Sequence, residues 1–387
     1  MRILVAHNHY GDYSIGGEAM VFKQETELLS ESGYEVRTYE RSNIELKKYT
    51  LVGKINSIIN IHWSKYTISE VGKLIDDFKP DVLHVHNYKF LITPSIFKVA
   101  KERGVKTILT LHNYRLMVPC GNFMTKEGAV CEKCLLGNSM NIIIKRCSQG
   151  SLFKSYLQYR LHTKTKLKLN QLVGLVDTYI VMSDFAKQKL IISGVPEVLI
   201  KVKPNFVKDS RLKVVKKYER AVFIGRLSFE KGVLDLINKW QEVDFPLAII
   251  GSGPLESELK NVASNNTNIK FYGSMKNEDV LEFLGSSSFL IFPSTLYETF
   301  GLTIVEAFSL GIPVLASNLG PRSEIISDGV NGLLYDINDE NDFQKKVKLL
   351  VEDISLRLKL GKEAKKSYKS KYTPEENLKF LSNLYKN

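Results

Sequence analysis

The chain has 387 residues, 44% hydrophobic and 25% charged, with a formal net charge of +12. That length is long for one core and comfortable for two domains, and the composition is that of a folded soluble protein rather than a disordered one. No apolar run approaches the ~20 residues of a membrane span, and the opening MRILVAHNHYG is too short in apolar residues for a secretory signal. These features point to the cytosol and to reduced cysteines.

RILVAHN predicts a first strand, followed by a helix over AMVFKQETELLSES that ends at Gly33, then the strand YEVRTY. DVLHVHN, a helix over SIFKVAKERG and VKTILTLHN come next. DTYIVMSD, a helix capped by Ser183 or Asp184, and VLIKVKPN continue the alternation. Apolar strands separated by amphipathic helices mean βαβ units and a parallel sheet. The basic stretch VKDSRLKVVKKYER reads as a linker, and the same grammar then restarts with AVFIGRL, a helix over VLDLINKWQEV, PLAIIGSG, a helix over LESELKNVAS, and IKFYG. SFLIFPS, PVLASN and GLLYD complete the second set. DINDENDF (336–343) lacks the Gly and Glu of a calcium loop and reads as the N-cap of a helix over FQKKVKLLVED. The expected fold is therefore α/β with two doubly wound parallel-sheet domains. The first spans 1–205 with a cysteine-containing insertion at about 118–150, a linker covers 206–219, and the second spans 220–370. Residues 371–387 form a last helical segment with no strand after it.

The positive charge is concentrated. Between Glu132 and Asp177 there is no acidic residue, whereas Lys133, Lys145, Arg146, Lys154, Arg160, Lys164, Lys166 and Lys168 supply eight positive charges. Leucines, isoleucines and aromatics interleave with them across 142–172. A basic amphipathic stretch of this kind suits an anionic membrane surface, and equally a solvated helix face over a core stripe. No motif for nucleic acid accompanies it.

The richest run is PSTLYETFGLTIVEAFSLGIPVLAS. An apolar strand (289–292) ends in a loop carrying Glu298, Gly301 opens a helix, and Glu306 lies one turn inside it. Free N–H groups at that helix start hold anions, and open α/β sheets bind ligands at this edge. In GRLSFEKG, Arg226 and Lys231 follow the strand AVFI, where two cations neutralise a diphosphate without a metal. GSGP (251–254) lacks the third glycine of a dinucleotide fingerprint and reads mainly as a tight turn. FYGSM, with Tyr272, offers backbone groups to a base edge. Gly16 and Gly17 sit in the loop after the first strand, where glycine permits close approach to a ligand. His84, His86 and His112 end strands; His112 suits a polar role towards a sugar better than metal ligation. Cys120, Cys131, Cys134 and Cys147 crowd one segment without hydrophobic periodicity. Three readings stand open for them: structural zinc, free thiols, or a disulfide.

Together these motifs resemble the family 4 retaining glycosyltransferases of the GT-B fold, over nearly the whole chain. The likeness rests on GGEA (16–19), FIGRLSFEKG (223–232), GSGP, FYG, the two glutamates Glu298 and Glu306, and PRSEIISDGVNGLLYD (321–336). It implies a nucleotide-diphosphate sugar as donor, held mainly by the C-terminal domain, and an acceptor on the N-terminal domain across a cleft. It implies Arg226 and Lys231 on the diphosphate, Glu298 facing the donor sugar, Glu306 on the ribose hydroxyls and His112 facing the sugar. Gly16, Gly17, Gly225, Tyr272, Phe300, Gly301 and Leu302 complete the implied donor site. Transfer would retain the anomeric configuration and need no divalent metal, and the last helix would return to the N-terminal domain. The cysteine segment is similar to a bacterial subgroup linked to polysaccharide assembly; the donor motifs with the basic stretch before Asp177 suggest a lipid-linked glycan acceptor and a peripheral place on the inner face of the plasma membrane. VPCGN departs from the CPNG order of that subgroup. Two other readings remain: a nucleotide-sugar epimerase of the same architecture, and a non-catalytic partner.

Overall fold

The computed structural model describes residues 1–11, 16–50, 53, 57, 60, 63–148, 150–167, 169–209 and 216–387; for 165–167, 170 and 340 it describes the backbone alone. The chain forms two compact units. The first comprises Met1–Gly121, Glu132–Pro204 and Asn377–Asn387, and the second Asn122–Cys131 and Asn205–Glu376.

The first unit is built on six parallel strands: β1 (Arg2–His9), β2 (Glu35–Ser42), β3 (Val82–Asn87), β4 (Lys106–Thr110), β5 (Thr178–Val181) and β6 (Ile200–Val202). Their order is β2-β1-β3-β4-β5-β6. β3 is buried along its whole length, as a strand covered on both faces requires. The expected cap of the helix Asp184–Ile192 is Ser183, whose Oγ accepts from Ala186 N at 3.1 Å. The C-terminal helix Pro374–Lys386 supplies Leu381 and Tyr385 to a core with Ile3, Val5, Phe22 and Ile108.

The second unit repeats the architecture with β7 (Ala221–Ile224), β8 (Leu247–Ile250), β9 (Ile269–Gly273), β10 (Phe289–Phe292), β11 (Val314–Ser317) and β12 (Leu333–Tyr335). The order is β12-β11-β10-β7-β8-β9, again all parallel. Trp240, Phe289 and Leu360 sit in its core. Asp339 caps the helix Glu340–Glu352 by accepting from Asn341 N, as the sequence predicts. In the stretch read as a linker, Phe206 and Val207 are buried, and Val207 bonds the carbonyl of Tyr372 and the hydroxyl of Tyr368. Residues 210–215 of that stretch, like Lys168 of the basic segment, lie outside the described residues.

Each sheet has one place where the winding reverses: between β1 and β3 in the first unit, and between β10 and β7 in the second. Loops leaving the carboxyl ends of such neighbours turn to opposite sides and leave a crevice between them.

Candidate active site

In the second unit the crevice lies between the loops after β7 and β10. Lys231 comes from the first loop and Glu298 from the second, and their Nζ and Oε1 atoms are 2.7 Å apart. Ser294 Oγ donates to the same Oε1 at 2.8 Å. Burial alone would raise the Glu298 pKa, but Lys231, Ser294 and Arg322 outweigh it and hold the carboxyl below its usual range. The backbone locks the two loops together, because Glu230 O accepts from Thr295 N at 3.0 Å and from Ser294 Oγ at 3.1 Å. Arg226 is exposed on the β7 loop, with no ion pair among the described residues.

Gly301 takes φ +109 and starts the helix Leu302–Ser309, leaving the first N–H groups without helical partners. Glu306 lies inside that helix, and no side-chain partner is present among the described residues. Burial pushes its pKa up to about 7.

Three further residues of the expected donor site are placed as follows. The Tyr272 ring packs on Phe283 with centroids 4.7 Å apart, in a hollow shared with Arg220, Pro246 and Asn268 at the amino-terminal side of β7 and β8. Lys270, two residues earlier on the same strand, lines the same hollow, as a pleat period of two requires. The Phe300 ring is buried against Tyr372, 5.9 Å between centroids, so only its backbone is left for a ligand. Gly225 N is bonded to Ile250 O. The GSGP turn packs on the β7 loop: a Cβ on Gly251 would lie 1.9 Å from Gly225 O, and Pro254 precedes rather than joins the helix Glu256–Val262.

Residues 122–131 form a small hairpin of the second unit, although both flanks of the segment belong to the first. Met124 and Val130 pair antiparallel, and Cys131 N donates to Phe123 O at 2.7 Å. Phe123 is fully buried, its ring 5.8 Å from that of Tyr297, next to Glu298. Gly128 meets Phe229, two residues before Lys231. No sequence signal announced this hairpin.

Structural zinc, one of the three readings open for the cysteines, gains no support from this arrangement. All four cysteines are free of disulfides, and Cys131 is held in the hairpin. Cys134 is buried and points its thiol at Ser139 O, 3.8 Å away. Among the described residues, no three cysteine sulfurs lie within 4.8 Å of one another.

In the first unit, Gly16 caps the helix Gly17–Glu31, which covers one face of β1 and β3. That face carries His7 and His9 from β1, His84 and His86 from β3, and His112 just beyond β4. Phe22 of the helix stacks on His7 at 4.9 Å between centroids. Glu25, also from the helix, is buried and bonds Lys203 Nζ through Oε2 at 2.7 Å. Its Oε1 lies 3.3 Å from His86 Nε2, and His86 Nδ1 lies 3.0 Å from His112 Nε2. His84 is held by Tyr385 OH at 2.8 Å and Thr110 Oγ1 at 2.7 Å. Glu25, His84 and His86 offer atoms close enough to share a cation. However, the Lys203 ammonium already supplies the positive charge and both His84 nitrogens are engaged, so this is a polar network rather than a metal centre.

In front of it, Tyr10 OH donates to Asn87 Oδ1 at 3.2 Å and accepts from Asn113 and Arg115. Burial pushes Glu18, next to Gly17, up to about 8 against the pull of Arg115 and Asn113. Sequence reading missed Glu18, Glu25, Lys203 and Arg322. The strand-end histidines were the one signal that led towards this cluster.

Two doubly wound parallel domains of this kind make a GT-B fold. The profile described as Glycosyltransferase Family 4 matches residues 15–211, and that described as Glycosyl transferases group 1 matches 206–367. The chain belongs to glycosyltransferase family 4. It is 33% identical over 170 residues to an uncharacterized glycosyltransferase of Methanocaldococcus jannaschii, covering 43% of this chain and 48% of that protein. It is 25% identical over 168 residues to the O-antigen chain mannosyltransferase C of Escherichia coli, covering 42% and 44%. The chain thus spans just under half the length of these relatives. The crystal structure of Anabaena HepE in complex with UDP-glucose shares the fold over 100% of both chains, at 16% identity and a TM-score of 0.65.

Proposed function

We infer that the protein moves a sugar from a nucleotide-diphosphate sugar to a hydroxyl of a glycan acceptor, with retention at the anomeric carbon and without a catalytic metal. The observation that carries this reading is the Lys231–Glu298 pair at the winding reversal, beside the open N-terminus of the helix Leu302–Ser309. The anomeric C–O bond to the β-phosphate breaks and a glycosidic bond to the acceptor oxygen forms. The acceptor proton passes to the leaving diphosphate. Negative charge grows on that diphosphate, and Arg226, Lys231 and the helix N–H groups stabilise it more than they do the intact donor. Glu298 accepts from hydroxyls of the transferred sugar and favours its cation-like centre. Glu306 takes the ribose hydroxyls, and His112 accepts from a hydroxyl of the sugar. Gly16, Gly17, Gly301 and Leu302 bring backbone to the donor.

A lipid-linked acceptor at an anionic membrane face is favoured by one further observation. Leu136, Ile144 and Phe153 are each at least 70% exposed within the basic segment, among Lys133, Lys145, Arg146 and Lys154. Exposed apolar side chains ringed by lysine suit an acidic interface better than a solvated face. Among the described residues no helix is long and apolar enough to cross a membrane. Polysaccharide assembly is also the context in the name of the Escherichia coli relative.

The test is product analysis across uridine-, guanosine-, thymidine- and adenosine-diphosphate sugars, with and without a glycan acceptor. Glycoside formed only when acceptor is present supports transfer. An epimerised nucleotide sugar from donor alone sinks it in favour of an epimerase, and absence of any nucleotide-sugar binding leaves a non-catalytic partner.

A further inference from the structure

The network behind His112 has a direction. Glu25 Oε2 is committed to Lys203, a group that only donates, at 2.7 Å. Glu25 Oε1 and His86 Nε2 are both buried and 3.3 Å apart, and neither has a hydrogen-bond partner among the described residues, which leaves each as the other's nearest candidate. The next nitrogen, His84 Nδ1, is 3.6 Å from Oε1 and is already held by Tyr385. Buried polar atoms are paired in stable folds, so His86 Nε2 carries a proton and gives it to Glu25. A neutral imidazole has one N–H, which leaves His86 Nδ1 as an acceptor. The atom facing it, 3.0 Å away, is His112 Nε2, which must then be the protonated nitrogen of His112.

We propose that Lys203, Glu25 and His86 form a relay that fixes His112 as its Nε2–H tautomer and presents His112 Nδ1 as a bare acceptor. His112 lines a hollow with Lys89, Asn113 and Arg115, where a sugar hydroxyl could reach the ring. Burial lowers the pKa of both His84 and His112, which suits neutral rings at those two positions. Lys203, Glu25 and His86 are positioning residues: they act on a hydroxyl only through His112. The use of the lone pair rests on the sugar-facing role proposed for His112, whereas the tautomer does not.

The relay predicts a reversal. In Glu25→Gln, Lys203 still needs an acceptor and takes the amide oxygen, so the amide NH2 turns to His86. His86 Nε2 then accepts, His86 Nδ1 donates, and His112 Nε2 becomes the acceptor. His112 is driven to the Nδ1–H form with no loss of side-chain volume.

Long-range ¹H–¹⁵N correlation spectra of histidine-labelled protein read this directly, with His112 assigned by its absence in His112→Gln. The wild-type protein should show His112 as Nε2–H, and Glu25→Gln should show Nδ1–H with its melting transition retained. An Nδ1–H or doubly protonated His112 in the wild type overturns the relay, and that measurement needs no variant to fold. An unchanged tautomer in folded Glu25→Gln overturns it as well. Where the tautomer flips, transfer should fall on the order of 10-fold or more, as for other groups that orient a site histidine. A flipped tautomer with undiminished transfer upholds the relay and removes the sugar-facing role of His112 instead.

Discussion

Lys231 and Glu298 are 67 residues apart in sequence and 2.7 Å apart in space, joined across neighbouring strands where the winding of the sheet reverses. The pair does two things at once. The ammonium keeps a largely desolvated carboxylate ionised, and the carboxylate holds the ammonium where a diphosphate would arrive. Lys231→Ala and Glu298→Ala should therefore each lower turnover by about 10²-fold, the scale of other lost electrostatic groups. The double variant should lose much less than the product of the singles, because each partner already fails without the other. Glu298 is depressed below its usual range, so its charge is present above about 4.5 and is lost as pH falls through its folded value. Removing Lys231 lets burial dominate and should move the acidic limb of the turnover profile to higher pH. Steady-state kinetics with the true donor decide this; a Lys231→Ala enzyme within about threefold of wild type discards the assignment.

Glu306 stands in the opposite electrostatic position. Burial raises it from 4.5 to about 7 with no cation beside it. The protonated form is favoured in the fold, so this group contributes stability below about pH 4.5 and loses it as pH rises through 7. Ribose hydroxyls that donate to it require the carboxylate. Nucleoside diphosphate binding at pH 6 should then release a proton, and affinity should rise with pH up to about 7. Calorimetry in buffers of different ionisation enthalpy measures that proton, and Glu306→Gln should abolish it. Equal proton release by wild type and Glu306→Gln would exclude Glu306 from the nucleotide site.

The hairpin 122–131 braces both loops of the same crevice. Gly128 has φ +84, and a Cβ there would sit 1.9 Å from Phe229 Cε1. Gly128→Val should thus cost about 1–3 kcal/mol through strain and overpacking and raise the donor KM about tenfold as the Lys231 loop shifts. Adding Phe229→Ala frees the space and should recover most of the KM but not all of the melting temperature, because the backbone strain persists. Unchanged KM in folded Gly128→Val would mean that the hairpin does not set the loop.

What was legible in the sequence follows the range of the forces involved. Apolar runs such as FLIF and VLHVHN declare buried parallel strands, and Ser183 and Asp339 declare helix starts, because pleat burial and capping are local. Glu298 and Glu306 were legible for the same reason: strand, loop and helix lie in one run. The direction of a ring was less so. Tyr272 and Phe300 pack their rings on Phe283 and Tyr372, neighbours set by tertiary packing that no local run declares. Glu25 and Lys203 are 178 residues apart, and nothing local distinguishes them from surface charges. The cysteine segment left three readings open because spacing is local, whereas tertiary pairing puts Cys131 in a hairpin of the other unit.

The basic segment makes its own prediction. Ile144 and Phe153 are each 74% exposed, and Ser148 N, between them in sequence, donates to Ser155 Oγ at 3.1 Å. Exposed apolar side chains gain about 1.5–3 kcal/mol each when fully buried, and each nearby lysine adds about 1 kcal/mol at an anionic surface. Ile144→Asp with Phe153→Asp should therefore reduce co-sedimentation with acidic vesicles by more than about tenfold, while transfer to a water-soluble acceptor stays as in the wild type. High salt should weaken wild-type binding, since the lysine contribution is screened within a Debye length. Binding that resists salt and survives both substitutions would place the membrane contact elsewhere on the chain. Absence of wild-type binding at low salt would leave the segment a solvated face, with the acceptor reaching the enzyme from solution.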